Sequence, residues 1–289
     1  MKKNILITGA SGYTGSRLVA YLSEQNVQVF SLVRKSTNAN KIDVLQKISK
    51  VYFYDETYQS IAAVFRDNKI DAVIHLAALA QYDYQPEKID EMINSNFRFG
   101  VHILEAMVNG GCKNFINFST YWQNNENGQA ICLYAALKQS FENIISFYSF
   151  DKNISAISLR MTDIYGHDDN RPKIFTQLKN YQLGTKIKMS NGKQEVSLIY
   201  IDDILSAVSN CLDNIDNIKS KHLVYYVYGN EILTLRQIVD IYNQETGKNV
   251  EVDWGALPYR KNQIMKLNLG ELLPNFKAKY NLKDVVKYL

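Results

Sequence analysis

The sequence predicts an α/β protein, a doubly wound parallel sheet with a smaller carboxyl-terminal lobe. Three observations predict it. Short apolar runs alternate with stretches of helical period through the first 166 residues. Three glycines, Gly9, Gly12 and Gly15, separate the first apolar run from the first amphipathic stretch. Past Gly166 the alternation fades into mixed, shorter pieces.

The elements follow in order. "NILITGA" is a short apolar run closed by glycine, the pattern of a buried parallel strand. "SRLVAYLSEQ" places Leu18, Val19 and Leu22 on one helical face. "VQVFSLVRK" is a second strand, and "IDAVIHLAALA" and "CKNFINFST" are further ones, separated by helical patterns such as "NFRFGVHILEAMVNGG". The helix "YAALKQSFENIISFYS" leads into the strand "NISAISLRMTDIYG". Beyond it, "HDDNRPKIFTQLKNYQLGTKIKMSNGK" reads as loop, helix and hairpin-like pieces. "VSLIYIDDILSAVSNCL" is a strand entering a helix, and "LVYYVYGNEILTLRQIVDIYNQETG" a strand, turn and helix. Thr234 and Gln237 have the spacing of a capping box at that last helix.

Composition narrows the function classes. An apolar fraction of 46% over 289 residues allows a large core. A net charge of +4 without a basic block gives no footprint for nucleic acid. Cys112, Cys132 and Cys211 are widely spaced and odd in number, so neither a disulfide framework nor a metal site is expected. The opening "MKKNILITG" resembles a secretion signal, but its apolar run ends too early, and no stretch is long enough to span a membrane. A cytoplasmic protein with no membrane insertion is expected.

The glycine turn is either a phosphate cradle or only a tight strand–helix connection. As a cradle it brings backbone N–H groups and the positive end of a helix to a pyrophosphate, with no Cβ in the way. Its spacing, G-x-x-G-x-x-G, differs from the common dinucleotide fingerprint. The second strand ends in Arg34 and Lys35, where an NAD site carries an acidic residue. A guanidinium there suits a 2′-phosphate, so NADPH is expected; otherwise the two are plain surface cations.

Tyr134 and Lys138 stand four apart, on one face of a helix. An ammonium beside a phenol lowers its pKa, and such a Tyr can exchange a proton at neutral pH. The spacing alone also fits an ordinary amphipathic helix. Ser119 and Thr120 close the preceding strand, at the end that faces a ligand crevice in such folds.

Together, "TGASGYTG", "HLAA" at 75–78, Asn96, "FST", Tyr134 with Lys138, "SLRMTDIYG", "LIYIDDILSA" and "LPYR" resemble the extended short-chain dehydrogenase/reductases. The resemblance runs through nearly the whole chain and points to the nucleotide-sugar epimerases, dehydratases and ketoreductases. It implies a Rossmann domain over 1–166, to which 196–214 and part of 222–229 return. It implies a substrate-binding lobe from 167–195 and 230–289. Tyr134 would be the acid/base, Lys138 would hold the nicotinamide ribose, and Thr120 would bond the sugar oxygen. Gly9, Ser11, Gly12, Tyr13, Thr14, Gly15, Leu76, Ala77 and Ala78 would line the cofactor with Arg34 and Lys35. Asn96 would support the helix carrying Tyr134. Arg260 would grip the sugar nucleotide's phosphates, with Tyr121 beside the sugar.

Departures from the family pattern narrow the reaction. Sugar dehydratases carry an Asp-Glu pair where this chain has Tyr121 and Trp122, which cannot move those protons. A second phosphate-binding Arg is replaced by Val196; Lys186, Lys188 and Lys193 either compensate or are solvated. Thr162 and Tyr165 either line the nicotinamide end or pack in the core. The short connection between Thr120 and Tyr134, "EVSLIYIDD" and "RKNQIM" together look most like the CDP-abequose/CDP-paratose synthase group. The expected reaction is NADPH-dependent reduction of a nucleotide-linked 4-keto-6-deoxyhexose, CDP- or dTDP-linked, by a homodimer supplying a surface polysaccharide. The alternatives are a 4-epimerase with tightly held NAD and a non-enzymatic NADP-binding sensor.

Overall fold

A computed structural model describes residues 2–289. The chain runs β1 (Lys3–Thr8), α1 (Tyr13–Ser23), β2 (Val27–Arg34), α2 (Ala39–Gln46), β3 (Lys50–Tyr54), α3 (Tyr58–Asp67) and β4 (Ala72–His75). It continues through α4 (Ile89–Ile93), α5 (Phe99–Asn109), β5 (Asn114–Thr120), α6 (Leu133–Asp151) and β6 (Ser155–Met161). There follow β7 (Asp163–Tyr165), α7 (Ile174–Lys179), β8 (Ile187–Met189), β9 (Glu195–Tyr200) and α8 (Ile201–Asn214). The last elements are β10 (His222–Val227), β11 (Ile232–Thr234), α9 (Leu235–Thr246), β12 (Val252–Trp254) and α10 (Leu282–Val285).

Seven parallel strands form the main sheet in the order β10-β6-β5-β4-β1-β2-β3. The chain winds one way from β1 to β3 and the other way from β4 onward. The crevice of such a sheet lies where the winding reverses, beyond the carboxyl ends of β1 and β4. Alternation along each strand feeds two cores. Ile5 and Ile7 pack with Leu18 and Leu22 of α1 and with Ile204 and Val208 of α8. Leu6 faces the other side, with Val64 of α3, Ile103 of α5 and Phe141 of α6. Cys112 and Cys211 lie in these cores, and burial pushes both thiols up to about 12, which leaves them unreactive.

The remaining pieces build a third core from Phe175, Leu178, Tyr200, Ile238 and Tyr242. Here β7, β9 and β11 make a three-stranded sheet, and β8 pairs with β12 in parallel. The hairpin-like reading within 167–193 is therefore corrected. Gly192, at φ +70°, turns the chain from β8 toward β9 without pairing them, and the partner of β8 comes some sixty residues later. Of residues 196–214, helix α8 packs on the main sheet, while β9 joins β7 and β11. The capping box of Thr234 and Gln237 is present at the start of α9. Among the described residues no helix is long and apolar enough to cross a membrane.

Candidate active site

The crevice between β1 and β4 is floored by the glycine turn. Gly9 adopts φ +69°, and a Cβ there would stand 2.7 Å from the Ala77 nitrogen. A Cβ on Gly15 would collide with the Gly9 carbonyl. Helix α1 starts from Gly12 with no side-chain cap, so the N–H groups of Tyr13, Thr14 and Gly15 are left to whatever enters the crevice. Thr8 ties the two strand ends together: its Oγ1 accepts from the Ala77 N–H at 3.2 Å and lies 2.9 Å from His75 Nδ1. Leu76 and Ala77 are half-buried and Ala78 is exposed along this edge. A narrow turn closed to any Cβ, with an uncapped helix end, fits a dinucleotide diphosphate.

Arg34 is exposed two residues beyond the last β1–β2 pair, and Lys35 is drawn to Asp55 at 3.7 Å. A third cation was not foreseen. Lys41, from the first turn of α2, donates to the Ser11 carbonyl at 3.2 Å. Tyr13 turns its side chain toward the second lobe. Its ring lies between the guanidinium groups of Arg17 and Arg171, at 4.2 and 4.4 Å, and its hydroxyl donates to the His167 carbonyl.

Asn96 is wholly buried at a π-helical turn, Asn94–Arg98, joining α4 to α5. Its amide accepts from Leu79 N–H at 2.7 Å and donates to Leu79 C=O at 3.0 Å. Its hydrogen bonds fix the loop after β4, while the π-turn that holds it packs against α6, the helix of Tyr134. The extra residue of a π-turn frees a side chain to reach sideways, and such turns gather at functional sites.

Tyr134 and Lys138 lie on the buried face of α6, packed over β5. Lys138 Nζ donates to the Phe118 carbonyl at 2.7 Å. Burial lowers its pKa to about 8, against a pull from the Glu142 carboxylate. Burial also drives the Tyr134 phenol above its ordinary range, with a smaller push from Cys132. That corrects the expected lowering by Lys138: the ammonium is engaged with β5, and loss of solvent dominates at the phenol. Tyr134 is thus a protonated donor at neutral pH.

Thr120 ends β5 and caps the short turn Tyr121–Gln123, its Oγ1 accepting from the Trp122 N–H at 3.2 Å. Its own O–H remains to be donated. Trp122 meets Tyr134, Tyr82 and Tyr121 edge to face, with centroids 5.7 to 6.2 Å apart. Tyr121 donates to Asp163 Oδ2 at 3.0 Å, and burial, then Asp163, pushes its phenol well up. Arg260 is exposed and covers the Tyr82 ring at 4.6 Å. Its neighbour Asn262 donates from Nδ2 to the Ile131 carbonyl and from N–H to the Tyr82 hydroxyl. The segment around Arg260 thus straps the aromatic wall beside Tyr134.

Other expected positions fall elsewhere. Tyr165 packs on Phe175 and Tyr200 in the lobe's core. Among the described residues, Thr162 Oγ1 is buried with no partner. Lys186 faces Glu251 at 3.9 Å on the surface, Lys188 and Lys193 are exposed, and Val196 sits in β9 opposite Leu233. No three His, Cys, Asp or Glu side chains converge as metal ligands among the described residues.

The sequence profile of the NAD dependent epimerase/dehydratase family matches residues 5–227. The chain belongs to this family. The resemblance read from the sequence is thereby borne out, and the family is nicotinamide-dependent. Among its curated relatives, the CDP-abequose synthase of Yersinia pseudotuberculosis is 27% identical, covering 98% of this chain and 96% of that protein. The CDP-abequose synthase of Salmonella typhimurium is 24% identical, over 100% and 99% of the two chains. Among solved structures, UDP-glucose 4-epimerase of Thermus thermophilus in complex with NAD superposes with a TM-score of 0.82 at 21% identity, covering 99% of this chain and 97% of that one. That likeness concerns the fold, which is the family's Rossmann architecture.

Proposed function

We propose that this protein reduces a nucleotide-linked 4-keto-6-deoxyhexose, CDP- or dTDP-linked, with NADPH, giving a deoxysugar nucleotide for a surface polysaccharide. The observation that carries the reading is the site's proton inventory. A buried, protonated Tyr134 packs on Trp122, in the turn that Thr120 caps, and the two positions after Thr120 are aromatic, not acidic. Such a site donates a proton to an oxygen and lacks the carboxylates a dehydration needs. The CDP-abequose synthases among the relatives support the same substrate class.

The roles follow from the geometry. The N–H groups at the start of α1 and the bare edge of Gly9 and Gly15 would hold the cofactor's diphosphate. Arg34 and Lys41 would take a 2′-phosphate, and Lys138 the nicotinamide ribose. When bound, the reduced nicotinamide supplies the reducing equivalent. Thr120 and Tyr134 orient the keto oxygen by hydrogen bonds, and Tyr134 gives its proton to that oxygen as negative charge builds there. Arg260, held over Tyr82, would meet the substrate's diphosphate. Phe147 and Phe150 on α6 are 53% and 86% exposed, which supports a homodimer through that helix.

The test is NADPH oxidation against CDP-, dTDP-, UDP- and GDP-4-keto-6-deoxy sugars. Turnover with a CDP- or dTDP-linked sugar is expected. Oxidation with none of them, or purified protein carrying NAD and interconverting two sugars without net reduction, would overturn the reading in favour of an epimerase.

A further inference from the structure

A buried carboxylate sits one helical turn beyond Lys138. Tyr134, Lys138 and Glu142 succeed one another at intervals of four along α6, all on its buried face. The Glu142 side chain is 6% exposed and takes part in four hydrogen bonds. Its Oε1 accepts from Ser119 Oγ at 2.6 Å, from Gln123 Nε2 at 3.1 Å and from Arg160 Nε at 3.3 Å. Its Oε2 accepts from Arg160 Nη2 at 2.7 Å. Gln123 also donates to Ser119 Oγ, closing the ring.

The partners are telling. Ser119 immediately precedes Thr120, and Gln123 ends the turn that Thr120 caps. One carboxylate oxygen therefore grips the chain on both sides of Thr120. Lys138 grips the same strand one residue earlier, at Phe118. We propose that Glu142 is the positioning residue of this site, fixing the Thr120 turn from below while its charge faces Lys138 one helical turn away.

The electrostatic half is explicit. Burial lowers the Lys138 pKa and Glu142 raises it. Arg160 from β6 neutralises Glu142 on its far side, His222 from β10 is held neutral by burial, and Ser119 and Gln123 carry no charge. Facing Lys138 from β4 is His75, also held neutral by burial. Glu142 is thus the one carboxylate acting on the ammonium. The kinetic consequence rests on the reductase reading; the mechanical one does not.

The experiment uses full-length Glu142→Gln, Glu142→Asp and Ser119→Ala. Under turnover, Glu142→Gln should move the alkaline limb of the kcat–pH profile down by about 1 unit, because an opposite charge at this range is worth that much. Glu142→Asp should restore the limb. Ser119→Ala leaves every charge in place and should lower kcat several-fold with the limb unmoved. Hydrogen exchange at Ser119–Gln123 needs no substrate, and Glu142→Gln and Ser119→Ala should each speed it at least tenfold. An active wild type with an unshifted limb and unchanged kcat in folded Glu142→Gln overturns the proposal. If the wild type turns over no sugar, the reductase reading has failed, and unchanged exchange in Glu142→Gln still overturns this one. Should Glu142→Gln not fold, unchanged exchange and kcat in Ser119→Ala do so.

Discussion

Replacing Lys138 with Met should stabilise the fold while abolishing its chemistry. Lys138 is 1% exposed, and burial depresses its pKa from an ordinary 10.5 to about 8. That fall corresponds to about 3 kcal/mol of destabilisation wherever the unfolded chain carries the charge and the fold must bury it. The sign follows from proton counts. Between about 8 and 10.5 the unfolded state binds more protons, so wild-type stability rises with pH through this window. Below it the penalty is complete. Met fills a similar volume without the charge, but it forfeits a charged hydrogen bond to the buried Phe118 carbonyl, which offsets about 2 kcal/mol. A net gain of about 1 kcal/mol is expected at pH 7, turning into a loss by pH 10. Urea denaturation of both proteins at the two pH values measures it, with turnover assayed alongside. A loss of stability at pH 7, or a gain independent of pH, would refute the claim that burial strain at Lys138 is held in the fold for function.

Three other outcomes are expected. Tyr134→Phe removes the proton donor and leaves the packing against Trp122, so kcat should fall roughly 10²–10⁴-fold with the melting temperature unchanged. Arg34→Glu and Lys41→Glu should each raise the KM for NADPH about tenfold or more and barely alter that for NADH, as steady-state kinetics with both cofactors would show. Arg260→Ala, and Tyr82→Leu beneath it, should raise the sugar-nucleotide KM about tenfold at nearly constant kcat, and a fall in kcat alone would place Arg260 with the chemistry instead.

The parts legible in the sequence are those encoded over a few residues. The glycine turn, the four-residue spacing of Tyr134 and Lys138, and the capping box at Thr234 are local patterns whose geometry follows from strand and helix periods. The stretch holding α2, β3 and α3 gave no clear element, because β3 is an edge strand whose residues are exposed or half-buried and lack a two-residue rhythm. Lys41 escaped notice since only the fold of α2 brings it to Ser11, thirty residues away. The resemblance points to Asn96, but its bonds to Leu79 depend on a π-turn that has no local signature. Nothing in the sequence singles out Glu142 among the polar residues of α6. Its role needs β5 and β6 to deliver Ser119 and Arg160 to the same carboxylate.

The electrostatics around Tyr134 bear on the direction of the reaction. A catalyst that cycles between oxidation and reduction must have its phenol give up a proton in one half and return it in the other, which favours a phenol poised near neutrality. Here burial holds Tyr134 above its ordinary range, and the Lys138 ammonium one turn away donates to the Phe118 carbonyl. A reductase makes a smaller demand, since its phenol need only begin protonated and release the proton once an alkoxide forms. With Lys138 one helical turn away and bonded to the Phe118 carbonyl, a phenol held protonated by burial would suit the reductase reading, in which it begins by donating. Tyr121 and Trp122 after Thr120 offer no carboxylate, so on the reductase reading Tyr134 would supply the one proton that a carbonyl reduction consumes.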